Sequence, residues 1–94
     1  RKTLVDFWNS PGRGDAEKPL RAWFDAACKA DWTGPADIKA EYRSASFVAD
    51  NRVVFNICGN RYRLVVAVHY RSRIVFVRFL GTHAEYDRID VCEV

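Results

Sequence analysis

Leu4, Phe7 and Trp8 recur at i, i+3 and i+4 within residues 3–9, which predicts a short helix with one apolar stripe. Ser10, Pro11, Gly12, Arg13 and Gly14 break it. Asp15 is placed to cap a second helix, in which Pro19 falls near the first turn and Leu20, Trp23, Phe24 and Ala27 repeat the stripe to about Lys29. These two helices are expected to pack as a hairpin on a sheet. Pro35, a favoured first helical residue, opens a short third helix over residues 35–42. The period then changes. Residues 53–58, 62–70 and 74–80 are rich in Val, Ile, Phe and Tyr, and they are separated by Gly59-Asn60 and by Arg71-Ser72-Arg73. This predicts an antiparallel meander with one face under the helices and the other free. On the middle strand Leu64, Val66 and Val68 share one face, and Arg61, Arg63 and His69 the other. The strand at 74–80 is apolar on both sides, so its pattern leaves the face of Arg78 open. Thr82 and Glu85 have the spacing of a capping box, which starts a short final helix carrying His83 and, one turn later, Tyr86.

Ninety-four residues make a single α+β domain, 1–94, large enough for one ordinary core. Cys28, Cys58 and Cys92 are odd in number and widely spaced, with no Cys-x-x-Cys pair, so no zinc ribbon or redox motif is written here. Reduced thiols are expected, with Cys28 and Cys58 filling apolar positions in a cytoplasmic protein. No stretch is long and apolar enough to span a membrane, and no signal-peptide pattern opens the chain.

The net charge of +3 conceals a block structure. Residues 1–50 carry eight basic and eight acidic side chains. Residues 51–84 contain no acidic residue, but six arginines (Arg52, Arg61, Arg63, Arg71, Arg73 and Arg78) and both histidines. The last ten residues return to −3. An acid-free basic half is the pattern of a face that binds a polyanion, although Arg71 and Arg73, flanking a turn, read better as solvated charges. Cleavage of RNA by its own 2′-hydroxyl needs a base, an acid for the leaving 5′-oxygen and fixed positive charge at the phosphate. Arginine keeps its proton at neutral pH, so Arg63 and Arg78 suit phosphate clamps. Histidine suits proton transfer. His83 begins a helix beside Tyr86, whereas His69 reads as an exposed strand residue. Tyr86 can stack on a base, bond a phosphate or relay a proton, and Lys39 adds a further positive contact. Neither the thiols nor the histidines have the spacing of a nucleophile–base pair or a zinc site, so no metal or cofactor is expected.

Three runs carry a resemblance: Asn51-Arg52-Val53-Val54-Phe55-Asn56-Ile57, Gly59-Asn60-Arg61-Tyr62-Arg63-Leu64, and Phe76-Val77-Arg78-Phe79-Leu80-Gly81-Thr82-His83-Ala84-Glu85-Tyr86-Asp87. With Ala30-Asp31-Trp32 and Pro35-Ala36-Asp37-Ile38-Lys39, they resemble the HigB-type mRNA interferase toxins of bacterial toxin–antitoxin pairs. The resemblance implies a RelE-like fold, ribosome-associated cleavage of mRNA and neutralisation by a HigA antitoxin containing a helix-turn-helix. It implies that Arg63, Arg78, His83 and Tyr86 form the site and that Lys39 and Asn56, at recurrent family positions, contact RNA. Arg61, on the expected face of Arg63, is expected as a further RNA contact. Such proteins begin with a short strand, which is expected to precede Arg1. Two other readings use the same basic face: a non-catalytic RNA- or ribosome-binding module, and a domain that only docks an acidic antitoxin segment.

Overall fold

The computed structural model describes residues 2–48, 51–59 and 61–91. Helices α1 (Lys2–Trp8), α2 (Glu17–Lys29) and α3 (Pro35–Glu41) come first, with a 3-10 turn, Gly14–Ala16, leading into α2. Strands β1 (Ser46–Val48), β2 (Arg52–Ile57), β3 (Tyr62–His69) and β4 (Ile74–Thr82) follow, and α4 (His83–Tyr86) comes last. The strands form one antiparallel sheet in the order β1-β2-β3-β4.

The apolar stripes bury as the periodicity predicts. Leu4, Phe7 and Trp8 of α1 and Leu20 and Trp23 of α2 meet Val53, Phe55 and Ile57 of β2 and Leu64, Val66 and Val68 of β3 in one core. Phe24 and Ala27 complete the α2 stripe half-buried. Pro19 costs little because an amide in the first turn has no intrahelical acceptor to lose. Phe55 is the aromatic centre: its ring lies 5.5 Å from Trp23, 6.3 Å from Trp32 and 5.1 Å from Tyr42. These packing geometries add to area burial by roughly 0.5–1.5 kcal/mol per pair.

Several details depart from expectation. Strand β1 has no counterpart in the periodicity, because three residues with Ser46 and Phe47 exposed display no alternation to read. It returns to β2 through Asn51, which holds the left-handed conformation at φ 61° that Asn tolerates better than most residues. Strand β4 runs to Thr82, two residues beyond 80. Asp15 does not cap α2, whose N-cap is Ala16 with no side-chain bond. Its carboxylate instead accepts from the Tyr62 hydroxyl at 2.6 Å, fastening the helical hairpin to the sheet. Cys28 is exposed rather than filling an apolar position, since it sits at the margin of the α2 stripe. Cys58 is half-buried and free, with Sγ 3.9 Å from Asp15. Asn60 of the expected tight turn and Cys92 lie outside the described residues.

The face turned away from the helices is not simply open. Val54, Val65 and Ala67 alternate with core residues and stand outside the core cluster, yet they are buried. They make an apolar floor, and the polar and aromatic side chains around it rise from that floor.

Candidate functional site

Register sets two of the candidate residues side by side. Asn56 pairs with Arg63 and Arg63 with Gly81, and because Tyr62 and Leu64 are in the core, this row lies on the helix-free face. Asn56 and Arg63 are half-buried, and one Arg63 amino group donates to the Tyr62 carbonyl at 3.3 Å. On β4, Val77 pairs with Val66 and Phe79 with Val65, so Arg78 is the additional residue of a bulge. The bulge resolves the ambiguous alternation of this strand. Val75, Val77 and Leu80 pack on the core, while Phe76 and Phe79 pair with Ala67 and Val65 of the other face. The Arg78 guanidinium lies 5.5 Å from the centre of the Phe76 ring. Arg78 is therefore exposed beside Phe76 on β4, where with Val77, Phe79 and Leu80 it also lines a hollow against Thr3, Asp6 and Phe7 of α1.

Helix α4 closes one end of this face. Both halves of the expected capping box are present: the Thr82 hydroxyl accepts from the Glu85 amide at 3.1 Å, and Glu85 accepts from the Thr82 amide at 2.8 Å. Arg13, from the turn between α1 and α2, adds an ion pair to Glu85 at 2.9 Å and lies 4.6 Å over the Phe7 ring. The Thr82 amide holds the Glu85 carboxyl below its ordinary range; desolvation opposes this and Arg13 reinforces it. His83 is exposed at the start of α4, and its amide donates to the Arg61 carbonyl at 3.2 Å. Its Nδ1 faces Asp87 Oδ1 at 3.5 Å, which leaves Nε2 on the opposite side of the ring. Tyr86 is half-buried, its ring 6.5 Å from that of Phe79 on the helix-free face.

Two expected contacts lie elsewhere. Arg61 turns away from Arg63: it pairs with Asp15 at 3.2 Å and lies 5.6 Å from the Tyr62 ring, because it precedes β3 and is not bound to the strand's alternation. Lys39 donates to the Ala45 carbonyl at 2.9 Å, bracing the segment that enters β1, at the opposite sheet edge from β4. Arg73 pairs with Asp31 at 2.7 Å, the solvated role its turn position implies. Arg13 and Asp87 support the rim helix although the sequence reading gave neither a site role. The i, i+4 spacing of His83 and Asp87 was a signal for the second; nothing local marked Arg13, whose partner is 72 residues away. Among the described residues no three His, Cys, Asp or Glu side chains gather as a metal site, and no helix is long and apolar enough to cross a membrane.

A four-stranded antiparallel meander under N-terminal helices, with a capped short helix at its rim, defines a RelE-like α+β fold. Residues 16–89 match the family model of the HigB toxin, described as the RelE-like toxic component of a toxin–antitoxin system, and the chain belongs to this family. It is thus a toxin of a toxin–antitoxin system, with an antitoxin as partner. A comparison with curated proteins gave no match.

Proposed function

We propose that this toxin is a metal-independent endoribonuclease that cuts mRNA on the ribosome by attack of a ribose 2′-hydroxyl on the adjacent phosphate. What supports this reading is that strand register sets Arg63 on the helix-free face, the contact with Phe76 sets Arg78 on the same face, and α4, bearing His83 and Tyr86, follows directly at the end of β4. His83 Nε2 takes the 2′-hydroxyl proton while Asp87 orients the ring through Nδ1. The 2′-oxygen bonds to phosphorus, the P–O5′ bond breaks, and the products are a 2′,3′-cyclic phosphate and a 5′-hydroxyl. Tyr86, one turn from His83, gives its hydroxyl proton to the leaving 5′-oxygen, and the proton held by His83 returns through solvent to restore it. Arg63 and Arg78 hold the phosphate oxygens as charge builds on them, which fixed guanidinium groups do without losing protons. Asn56, opposite Arg63, is a further RNA contact. Arg61 and Lys39 are peripheral contacts at most, given their bonds to Asp15 and Ala45. The neutralising partner is a HigA-type antitoxin with a helix-turn-helix, and the basic residues 51–84 suit an acidic segment of it.

The test is to incubate programmed ribosomes with the toxin and map the RNA ends. New 5′-hydroxyl ends are expected, and they should diminish roughly 10²–10⁴-fold in rate with His83→Ala, the usual worth of a general base. Arg78→Ala should lose a comparable factor. Unimpaired cutting by both variants would remove these residues from the site. Salt-sensitive RNA binding without new ends at any toxin concentration would instead establish a non-catalytic binding module.

A further inference from the structure

We propose that Phe76, with Arg78 and His69 beside it, is a separate RNA subsite that stacks an unpaired nucleobase flanking the cut. This rests on the ribonuclease reading and goes beyond its catalytic residues. Phe76 lies in the interior of β4 but is 43% exposed, as is its neighbour on the same face, Ile74, at 45%. A large ring held open in the middle of a strand is unusual, because aromatic side chains are normally where a fold gains most from burial. Its cross-strand partner is Ala67, a side chain too small to cover it. His69 meets the ring edge-to-face, with centroids 5.3 Å apart and planes at 83°, which fixes the ring without shielding it. The Arg78 guanidinium stands 5.5 Å from the ring centre. Among the described residues Arg78 forms no ion pair, and the carboxylate in its surroundings is that of Asp6, which lines the same hollow.

These features have the chemistry of a single-strand binding surface: an aromatic platform for a base, with a cation for the phosphate attached to that base. Arg78 lies between Phe76 and the α4 rim along β4. A nucleotide whose phosphate is clamped there therefore has a neighbouring base within reach of the Phe76 ring. A basic, acid-free stretch favours RNA over an apolar protein segment as the occupant.

The experiment is steady-state cutting of ribosome-bound mRNA by the parent, Phe76→Ala, Phe76→Leu and Phe76→Trp. Since the side chain is exposed, all four should melt alike. Phe76→Ala and Phe76→Leu should raise KM roughly 5- to 150-fold, the worth of one base stack, with kcat unchanged. Phe76→Trp should restore the parent KM. An abasic nucleotide at the stacked position should raise the parent KM to that of Phe76→Ala and leave Phe76→Ala unaffected. An unchanged KM for Phe76→Ala, or full rescue by Phe76→Leu, overturns the stacking subsite while leaving the ribonuclease intact. Loss of antitoxin binding with normal cutting reassigns the patch to the protein partner and overturns it too. A parent that cuts no RNA overturns the ribonuclease reading itself, and this inference with it.

Discussion

A Cβ added at Gly81 would stand 2.8 Å from Cζ of Phe79 and 2.9 Å from Oε1 of Glu85. Both atoms end side chains that could swing aside, but neither is idle: the Phe79 ring lies against Tyr86, and Glu85 closes the capping box and binds Arg13. Gly81→Ala must therefore displace a support of α4. The overpacking should cost about 1 kcal/mol in a denaturant unfolding curve. Its effect on RNA cutting should be larger in proportion, because His83 and Tyr86 move with the helix. An activity loss no greater than the small stability loss implies would mean that the rim tolerates the shift. At the same scale, Arg78→Lys keeps the charge of the clamp but not its planar fork. It should recover less than a tenth of the cutting that Arg78→Ala loses, measured at one salt concentration.

Four residues do not make a helix stable by themselves, so α4 exists through its attachments. Removing the cap with Thr82→Ala should cost about 0.5–2 kcal/mol. Arg13→Ala breaks a half-exposed ion pair, worth little in stability. It nevertheless frees one side of the helix that carries the proposed base, so kcat should fall while the melting temperature barely moves. Glu85 makes the attachment pH-dependent. Its carboxyl is held below the ordinary value, first by the Thr82 amide, so its stabilisation is complete above that value, near 4.5, and lost as pH falls through the lower folded value. Unfolding curves from pH 5 to 2 should show the parent losing more stability than Glu85→Gln. The capping box was legible in the sequence because its partners are three residues apart, and the helical stripes and three longer strands were legible for the same reason. What escaped depends on distant chain. Asp15 reads locally as a cap, but a hydroxyl 47 residues on wins its carboxylate. The face of Arg78 is set by a bulge, a property of two strands rather than one, and β1 is too short and exposed to show a period.

Over the whole molecule the arginines of the acid-free stretch are sorted by face. Arg61 and Arg73 return to Asp15 and Asp31 of the N-terminal half, tying it to the sheet, while Arg63 lies on the helix-free face and Arg78 stands beside Phe76 on β4. The block of charge in the sequence thus overstated the basic face, since Arg61 and Arg73 are engaged in ion pairs with Asp15 and Asp31. The tie around Asp15 also bears on stability at high pH. Burial raises the hydroxyl pKa of Tyr42, Tyr62 and Tyr70, and at Tyr62 the bond to Asp15 raises it further, against the pull of Arg61. A group whose folded pKa lies above its unfolded value of about 10 contributes stability that is complete below pH 10 and lost as pH climbs through the folded value. Ionised Tyr62 would also set a phenolate against the Asp15 carboxylate at its present hydrogen-bond distance of 2.6 Å. Tyr62→Phe should then cost roughly 0.5–1.5 kcal/mol at pH 7, where the hydrogen bond is intact. The difference from the parent should shrink above pH 10, because the variant has one fewer buried phenol to ionise. Urea midpoints measured from pH 7 to 11 give the comparison. Parallel curves would mean that Tyr62 ionises no less readily in the folded chain than in the unfolded one, and coincident curves that its bond to Asp15 adds no stability.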